Sequence, residues 1–543
     1  MNFVLLIILD GWGEAPDSPG NAITNANLPY FTGLLKNYPH GLLEASGESV
    51  GLPRGEDGNT ETGHLNIGAG YIVPQDIQRI NYAVADGSFF QNRAFLDAID
   101  HVRKYESNLH LLGLIGAGGV HSNIEHLLAL LQFTKEQDFK RVYLHLITDG
   151  RDSPPKSAKI YLSQIENLLK SLKFGAMATI LGRYYAMDRD KRWDRTQKAY
   201  SALTDDKTGS LSSVSEIISE NYENGITDEF IVPTALSANG KLLPRIQQKD
   251  SVIFFNYRID RPRQLTKAFI LDDFAADANL PDFDPYSVKY HKKHEIYVSD
   301  YQRPFQRDKK LEHLFFVTMT EYSQAFHVSE VAFPPHIVKK PLSGVISENG
   351  LKQLHLSESE KERFVTYYFN GQRETPFAGQ ENIIVPSPGV STYDLAPEMS
   401  AYQLTLELLN KIKQNKHHFI VVNFANADMV AHTGSIAPSI KACETIDRCL
   451  SQIVPVALDH DGTVIITADH GNAEELMSLA TGGINTEHST NPVPVIFINK
   501  DLYAKAVDLQ KGILADIAPT VLTLLHLNIP DSITGRNLLE NII

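Results

Sequence analysis

The stretch Thr-Val-Ile-Ile-Thr-Ala-Asp-His-Gly-Asn at residues 463–472 shows most clearly the pattern from which the fold of this chain is predicted. A run of β-favouring residues ends on Asp469 and His470, which predicts a buried strand with an acid and an imidazole at its carboxyl end. Short apolar runs of this kind recur along the sequence, with longer helix-favouring stretches between them. In open α/β sheets, ligands bind outside the carboxyl ends of the parallel strands. The sequence therefore predicts an α/β fold whose functional residues follow its strands.

Apolar runs from both ends of the chain lead to acids and histidines. The set comprises Asp10 after residues 3–9, Asp428 and His432 after residues 419–424, Asp469 and His470, and His488 just before residues 493–498. Asp428 and His432 are four positions apart and share one face of a helical turn. Any one of these residues alone is explained by a helix cap or an ordinary histidine. All six together favour a site for two divalent cations, and mixed carboxylate and imidazole ligands suit Mn²⁺ or Zn²⁺ better than Ca²⁺.

Apolar runs in the middle of the chain end mainly on arginine. The candidates are Arg151, Arg183, Arg189, Arg258 and Arg261, and one run is followed by His121 instead. Arginine is the usual side chain for a bidentate grip on phosphate or carboxylate. Five such residues on a chain of net charge −15 predict a small, strongly anionic ligand. The alternative is a surface arginine paired with a neighbouring aspartate, which we expect for Arg192 and Arg195.

The two sets differ in their positions along the chain, because the Asp/His set comes from its ends and the arginine set from its middle. With 543 residues, the chain is too long for one ordinary core. We therefore predict two domains, one inserted into the other. The metal-binding domain would comprise residues 1–75 and 312–543, and the inserted domain residues 76–311.

A threonine hydroxyl precedes a helix-favouring stretch in Gly-Asn-Thr-Glu-Thr-Gly-His at residues 58–64. At a helix N-terminus, Thr60 would lie near backbone N–H groups that stabilise a phosphate or an alkoxide. The same residue would also make an ordinary N-cap. The sequence leaves both interpretations open.

The composition argues against several classes of protein. A nucleic-acid-binding protein would usually carry a basic face, which does not fit a net charge of −15. No run of about 20 apolar residues is present, so no membrane-spanning helix is expected. Cys443 and Cys449 would point to different faces of a helix, so no disulfide is expected. We expect a reducing, cytoplasmic setting.

Eight short motifs occur in order along nearly the whole chain. They are Asp-Gly-Trp-Gly at 10–13, Gly-His-Leu-Asn-Ile-Gly-Ala-Gly at 63–70, Gly-Gly-Val-His-Ser at 118–122, Thr-Asp-Gly-Arg-Asp at 148–152, Gly-Arg-Tyr-Tyr-Ala-Met-Asp-Arg-Asp at 182–190, Asp-Met-Val-Ala-His-Thr-Gly at 428–434, Thr-Ala-Asp-His-Gly-Asn at 467–472 and His-Ser-Thr-Asn-Pro-Val-Pro at 488–494. Together they resemble the cofactor-independent phosphoglycerate mutases, whose metal domain is similar to the alkaline phosphatases. The resemblance implies an isomerase of glycolysis and gluconeogenesis that interconverts 3-phosphoglycerate and 2-phosphoglycerate without 2,3-bisphosphoglycerate.

The resemblance also implies a role for each candidate residue. One metal ion would be held by Asp428, His432 and His488, and the other by Asp10, Thr60, Asp469 and His470. Substrate would be bound by His121, Arg151, Asp152, Arg183, Arg189, Arg258, Arg261 and Lys361. Thr60 would be the phosphorylated nucleophile, Asp152 the general acid and base, and Lys361 would neutralise phosphate near the metals. Mn²⁺ is the expected ion, with Zn²⁺, Co²⁺ and Mg²⁺ left open, in a monomer that acts on a small molecule and has no nucleic-acid or membrane partner.

The sequence departs from the family pattern close to the predicted site. Thr60 stands where the family has a serine, Tyr71 where it has an arginine, and Ala431 where it has a glycine. The other departures are Glu56 and Asp57 in place of Gln-Met, and Ala117 and Asn123 in the motif around His121. A threonine methyl stiffens χ1 and needs room beside the incoming phosphorus. We expect these changes to affect substrate preference and turnover rather than the class of reaction.

Three rival functions use a related scaffold. A metal-dependent phosphomonoesterase would need no arginine-rich domain to retain the organic fragment. A phosphopentomutase could use a threonine, but the motifs at 118–122, 148–152 and 182–190 do not suggest a pentose enzyme. A non-catalytic descendant that binds phosphorylated acids would have no need of two metal ions.

Overall fold

The computed structural model describes residues 3–205, 213–238, 240–280, 303–307, 310–477, 482–540 and 542. The chain forms two compact units. Of the described residues, the first unit contains those up to Gln75 and those from His336 onward, and the second contains those from Asp76 to Pro335. Each unit is built on one large β-sheet with helices. The α/β fold class with two units, predicted from the strand pattern, is therefore confirmed.

Strands and helices alternate along much of the chain. The described strands are β1 (Phe3–Leu9), β2 (His40–Glu44), β3 (Leu109–Ile115), β4 (Val142–Thr148), β5 (Ala176–Gly182), β6 (Thr234–Ala235), β7 (Ser237–Ala238), β8 (Lys241–Leu242), β9 (Ser251–Phe254), β10 (Phe315–Thr320), β11 (Glu330–Phe333), β12 (Gln353–Glu358), β13 (Gln380–Val385), β14 (Phe419–Phe424), β15 (Gly462–Thr467), β16 (Val493–Ile498) and β17 (Gly512–Ile513). The described α-helices are α1 (Pro29–Asn37), α2 (Thr60–Ala69), α3 (Asp76–Asp86), α4 (Arg93–Lys104), α5 (Ile124–Glu136), α6 (Ala158–Leu172), α7 (Arg183–Ala186), α8 (Trp193–Thr204), α9 (Val214–Glu223), α10 (Pro262–Ile270), α11 (Phe274–Asp277), α12 (Leu342–Glu348), α13 (Ala401–Gln414), α14 (Asn426–Ala431), α15 (Ile436–Asp459) and α16 (Ile517–Leu524).

The first unit has an eight-stranded sheet in the order β13-β12-β14-β1-β15-β16-β2-β17. The five strands from β13 to β15 are parallel to one another, whereas β16 runs antiparallel to both of its neighbours. All seven residues of β1 are buried, as expected for a parallel strand in the centre of a sheet. Because β1 lies between β14 and β15, the carboxyl ends of these three strands meet at one edge of the sheet.

The core of the first unit is continuous around this sheet. Apolar residues of β1, β14 and β15 pack with those of the long helix α15, and α13 packs on α15. Cys443 and Cys449 are both buried on α15 as free thiols. The expectation that these two residues form no disulfide is confirmed.

The second unit has a seven-stranded sheet in the order β11-β10-β9-β3-β4-β5-β6, and β7 and β8 form a small separate ladder. All neighbouring strands of the large sheet are parallel except β6, which runs antiparallel to β5. The segments that follow β3, β4, β5 and β9 contain the histidine and arginine motifs. These segments emerge at the carboxyl ends of parallel strands, where a ligand site is expected.

The junctions between the units fall after Gln75 and after Pro335. Residues 312–335 were expected in the metal-binding unit, but β10 pairs with β9 and β11 pairs with β10 in the second sheet. The expected boundary at residue 311 was therefore too early. An apolar run predicts a buried strand, but its composition does not say which of two sheets the strand joins.

None of the helices in the described part of the chain combines the length and the apolar character that crossing a bilayer requires.

Candidate active site

The acids of the first unit converge because they follow adjacent strands. Asp10 comes directly after β1, Asp428 lies on α14 just after β14, and Asp469 follows β15. All three carboxylates are buried. The turn after β1 passes very close to α14, because a Cβ added to Gly11 would lie 2.7 Å from Cβ of Asp428. Only glycine allows this approach, which brings the two carboxylate-bearing segments together.

Thr60 is the first residue of α2, and its hydroxyl points into the same cluster. Asn59 is the N-cap, since its side chain accepts a hydrogen bond of 2.9 Å from the N–H of Thr62. The Thr60 hydroxyl lies 2.9 Å from Nε2 of His470 and 3.4 Å from Oδ1 of Asp10. The capping interpretation of Thr60 is therefore wrong, because Asn59 caps the helix and leaves the threonine hydroxyl to the site.

Three histidines surround these carboxylates with their ring orientation set by backbone carbonyls. Nδ1 of His432 donates to the carbonyl of Thr486 at 2.9 Å, and Nδ1 of His488 donates to that of Gly58 at 2.8 Å. The Nε2 atoms of His432 and His488 then face each other at 3.1 Å, and Oδ1 of Asp428 lies 3.2 and 3.4 Å from them. Three electron-pair donors that converge in this way can be held together by one shared cation.

His470 joins the second group of ligand atoms. Its Nε2 lies 3.5 Å from Oδ1 of Asp10 and 3.6 Å from Oδ2 of Asp469. The ligand atoms of Asp10, Asp469 and His470 all lie close enough to hold one ion, as do those of Asp428, His470 and His488. The imidazole of His470 thus lies close to both candidate ion positions.

Lys361 follows β12 and lies between the two groups. Its Nζ is 2.6 Å from Oδ1 of Asp10, 2.7 Å from Oδ2 of Asp428 and 3.0 Å from the Thr60 hydroxyl. Burial alone would lower the pKa of Lys361, but the neighbouring carboxylates raise it above its ordinary value. The ammonium group is therefore firmly protonated and contributes one positive charge to the cluster.

One lysine does not neutralise three buried carboxylates. Burial would lower the pKa of His470, but Asp469, Asp10 and Asp428 raise it to about 10. The carboxylates thus hold a positive charge on this imidazole unless other cations compensate them. The donor set of carboxylates, imidazoles and a hydroxyl suits two divalent ions, and a cavity of about 300 Å³ opens on it.

All seven predicted metal-site residues, together with Lys361, therefore lie in one cluster of the first unit.

In the second unit, the predicted residues Arg183 and Asp152 are in direct contact. Arg183 is the first residue of α7, and its Nη1 hydrogen-bonds to Oδ2 of Asp152 and, at 2.6 Å, to Oδ1 of Asp149. Burial would lower the pKa of Arg183, but these two carboxylates raise it. Asp149 also accepts from the N–H groups of Arg151 and Asp152, so it orders the whole turn after β4.

Asp260 connects three further predicted residues. Its Oδ2 accepts from Nη1 of Arg189 at 2.7 Å, and its Oδ1 lies 3.5 Å from Nε of Arg258 and 3.6 Å from Nδ1 of His121. Nε2 of His121 lies 3.8 Å from Oδ2 of Asp152. Burial lowers the pKa of His121 to about 4, with Asp260 opposing the shift and Arg183 adding to it. His121 is therefore neutral at pH 7 and sits between two carboxylates.

The remaining predicted arginines have separate partners. Arg151 pairs with Glu229 at 2.7 Å, and Nη1 of Arg261 donates to the carbonyl of Met187 at 3.2 Å. Arg192 pairs with Asp190 and Asp188, and Arg195 with Asp188. The expectation that Arg192 and Arg195 pair with neighbouring aspartates is confirmed.

Comparison with known proteins decides which family this architecture represents. Residues 80–324 match the family model described as the BPG-independent PGAM N-terminus. A 2,3-bisphosphoglycerate-independent phosphoglycerate mutase of Chloroflexus aggregans is 48% identical over 541 residues, which cover 99% of this chain and 98% of that protein. The chain belongs to this family. The corresponding protein of Clostridium tetani is 46% identical over 538 residues, which cover 99% of this chain and 99% of that protein.

A solved phosphoglycerate mutase has the same fold. The crystal structure of Leishmania mexicana phosphoglycerate mutase at low cobalt concentration matches this mutase-family chain with a TM-score of 0.64. The match covers 99% of this chain and 97% of the Leishmania chain. The sequence identity between the two is 24%. The likeness extends over both units and supports the architecture described above.

Several residues of the mutase site were not predicted from the sequence. Asp149, Glu229 and Asp260 are the acid partners of the predicted arginines. Asp149 comes directly after β4, as Asp10 comes directly after β1, so the same pattern could have identified it. In the first unit, the missed residues are His64, Asn423 and Asn472, which contact the predicted metal ligands.

Proposed function

We propose that this enzyme interconverts 3-phosphoglycerate and 2-phosphoglycerate through a phosphothreonine at Thr60, with two divalent metal ions and without 2,3-bisphosphoglycerate. The main support is the position of the Thr60 hydroxyl, which lies within hydrogen-bonding distance of His470 and Lys361 and close to Asp10. Membership of the mutase family supports the same reaction.

Two sets of residues would hold the ions. Asp428, His432 and His488 would bind one, and Asp10, Thr60, Asp469 and His470 the other. Divalent ions bound there would lower the pKa of an alcohol and stabilise charge on a transferring phosphoryl group. Mn²⁺ is the ion we propose, because the ligands mix oxygen and nitrogen, and Zn²⁺, Co²⁺ and Mg²⁺ are alternatives that the same ligands accept.

In the first half of the reaction, the Thr60 oxygen forms a bond to phosphorus while the bond from phosphorus to the glycerate oxygen breaks. Thr60 enters this step as the alkoxide, its proton having left to solvent. Lys361 stays protonated beside the Thr60 oxygen and offsets the charge of the phosphoryl group. The N-terminus of α2 adds a favourable field, because Thr60 is the first residue of that helix.

Residues of the second unit would retain the glycerate while phosphate is on the enzyme. Arg151, Arg183, Arg189, Arg258, Arg261 and His121 would bind its carboxylate and hydroxyl groups. Asp152 would protonate the leaving glycerate oxygen and then remove a proton from the other hydroxyl, whose oxygen attacks phosphothreonine and restores Thr60. Retention matters, because water would otherwise hydrolyse the phosphoenzyme.

An enolase-coupled assay on 3-phosphoglycerate tests this function, with Mn²⁺ present, 2,3-bisphosphoglycerate absent and free phosphate followed in the same sample. We expect isomerisation that EDTA abolishes and little phosphate release. Phosphate release without isomerisation would contradict the proposal and identify a phosphomonoesterase. Absence of both isomerisation and phosphate release, together with failure to bind Mn²⁺, would indicate a non-catalytic protein.

A further inference from the structure

We propose that His64, held by Asn423, is a positioning residue that orients Thr60 and the Asp10/Asp469 half of the metal cluster without touching the other half. This inference rests on the proposed function, because it assigns a task within that site. His64 lies on α2 one turn after Thr60, and its side chain is completely buried.

The ring of His64 contacts two site residues through one nitrogen. Its Nδ1 lies 2.9 Å from the carbonyl oxygen of Thr60 and 3.2 Å from Oδ2 of Asp469. Both of these oxygens are acceptors, so the proton of the neutral ring belongs on Nδ1. Nδ1 therefore donates to the residue that carries the nucleophile and lies close to a carboxylate that follows a different strand.

The other nitrogen of the ring is fixed by Asn423, the fifth residue of β14. Nδ2 of Asn423 lies 2.6 Å from Oδ2 of Asp10 and 3.1 Å from Nε2 of His64. Since a carboxylate only accepts, the amide nitrogen must face Asp10, and its second hydrogen is then directed to His64. Nε2 of His64 is therefore an acceptor, which agrees independently with a proton on Nδ1.

These contacts form a closed ring of hydrogen-bonding groups. It runs from Thr60 through His64 and Asn423 to Asp10, whose Oδ1 lies 3.4 Å from the Thr60 hydroxyl. Every member is buried. Rotation of any of these side chains would therefore break at least one buried hydrogen bond.

The second half of the metal cluster is oriented by different groups. His432 donates to the carbonyl of Thr486, His488 donates to that of Gly58, and Nδ2 of Asn472 donates to Oδ1 of Asp428 at 2.8 Å. Asn472 thus has the same relation to Asp428 that Asn423 has to Asp10. This symmetry provides a matched control on the same scaffold.

The experiment measures Mn²⁺ binding by calorimetry in two backgrounds that each keep one half of the cluster. Asp428→Asn leaves the Asp10/Asp469 half, and Asp469→Asn leaves the Asp428 half. Each background then receives one further substitution, which is His64→Asn, Asn423→Ala or Asn472→Ala. Removal of a group that orients a metal ligand typically weakens binding by about 10- to 100-fold.

We expect His64→Asn and Asn423→Ala to weaken Mn²⁺ binding by that factor in the Asp428→Asn background and by less than about threefold in the Asp469→Asn background. Asn472→Ala should show the opposite pattern. Circular dichroism and the thermal midpoint in EDTA check that each variant is folded, and Asn423→Ala serves if His64→Asn does not fold.

Equal losses in both backgrounds, or no loss in either, would overturn the positioning role. Isomerisation by the otherwise unchanged enzyme is measured separately. If the unmodified enzyme binds two Mn²⁺ ions but does not isomerise phosphoglycerate, the proposed function fails. Calorimetry would still show whether His64 affects Mn²⁺ binding only at the Asp10/Asp469 half of the metal cluster.

Discussion

At the scale of single residues, the site depends on side chains whose orientation is set before any ligand arrives. Asn59 caps α2 and so leaves the Thr60 hydroxyl available, and Gly11 lets Asp428 approach the turn after β1. In the second unit, the Asp260 carboxylate contacts Arg189, Arg258 and His121. Preorganisation of this kind lowers the cost of binding a strongly charged substrate.

Replacement of the nucleophile separates chemistry from metal binding. Thr60→Ala should lower kcat by at least about a thousandfold, because no hydroxyl is left to accept the phosphoryl group, while the remaining carboxylates and imidazoles still bind Mn²⁺. Thr60→Ser should retain substantial turnover, since it keeps the hydroxyl. The coupled assay and the intact mass of acid-quenched enzyme measure both effects. Near-normal turnover of Thr60→Ala would show that another group is phosphorylated.

Removal of one charge in the second unit tests retention of glycerate. Asp260→Asn keeps the shape of the side chain but loses the charge that holds Arg189 and Arg258, so we expect KM for 3-phosphoglycerate to rise by about tenfold and phosphate release to increase relative to isomerisation. Asp190→Asn is the control, because Asp190 is mostly exposed and pairs with Arg192. If both variants behave alike, Asp260 has no special role.

At the scale of elements, the sequence predicted the residues that follow strands but not the contacts that these residues make. Asp10, Asp428 and Asp469 could be identified because their position after an apolar run is a local property. The partnership of His64 with Asn423 joins residues 359 positions apart, so no local pattern reveals it. The same limit applies to β10, which was expected in the metal-binding unit but pairs with β9 in the second sheet.

The N-cap of α2 should contribute measurably to stability. Asn59→Ala removes the acceptor for the N–H of Thr62, and we expect the free energy of unfolding to fall by about 1 kcal/mol. Asn59→Asp keeps an acceptor and should leave it almost unchanged. Denaturant unfolding measures both variants, and equal stability of Asn59→Ala and the unmodified enzyme would contradict the capping role.

The end of β12 contains a carboxyl group that makes stability depend on pH. Burial raises the pKa of Glu358 to about 7, although its Oε1 accepts a hydrogen bond from the N–H of Ser400. The folded protein therefore keeps a proton that the unfolded chain releases near pH 4.5. This contribution to stability is complete below pH 4.5 and is lost as the pH rises through about 7.

Glu358→Gln should remove this dependence. The difference in unfolding free energy between the variant and the unmodified enzyme should grow in favour of the variant from pH 4.5 to 7, by up to about 3 kcal/mol. Denaturant titrations at each pH, with both proteins in the same buffer, cancel the contributions of other groups. A constant difference across this range would show that the pKa of Glu358 is the same in the folded and unfolded states.

At the scale of the whole molecule, the two units should respond differently to metal removal. Both candidate ligand groups found among the described residues lie in the first unit. An ion present at a hundred times its Kd stabilises the fold that binds it by about 2.7 kcal/mol. EDTA should therefore reduce amide hydrogen-exchange protection in β1, β14 and β15 and leave β3 and β4 nearly unchanged. Equal loss of protection in both sheets would contradict a site confined to the first unit.

The position of β1 between β14 and β15 has a consequence for synthesis on the ribosome. This strand is synthesised before both of its neighbours in the sheet, which come roughly 410 to 460 residues later. At about 5 to 20 residues per second, β1 waits on the order of 20 to 80 s for its partners. The second unit is translated in the meantime and can fold before the first is complete. During that interval the apolar residues of β1 lack these partners, and transiently exposed strands of this kind are prone to aggregate.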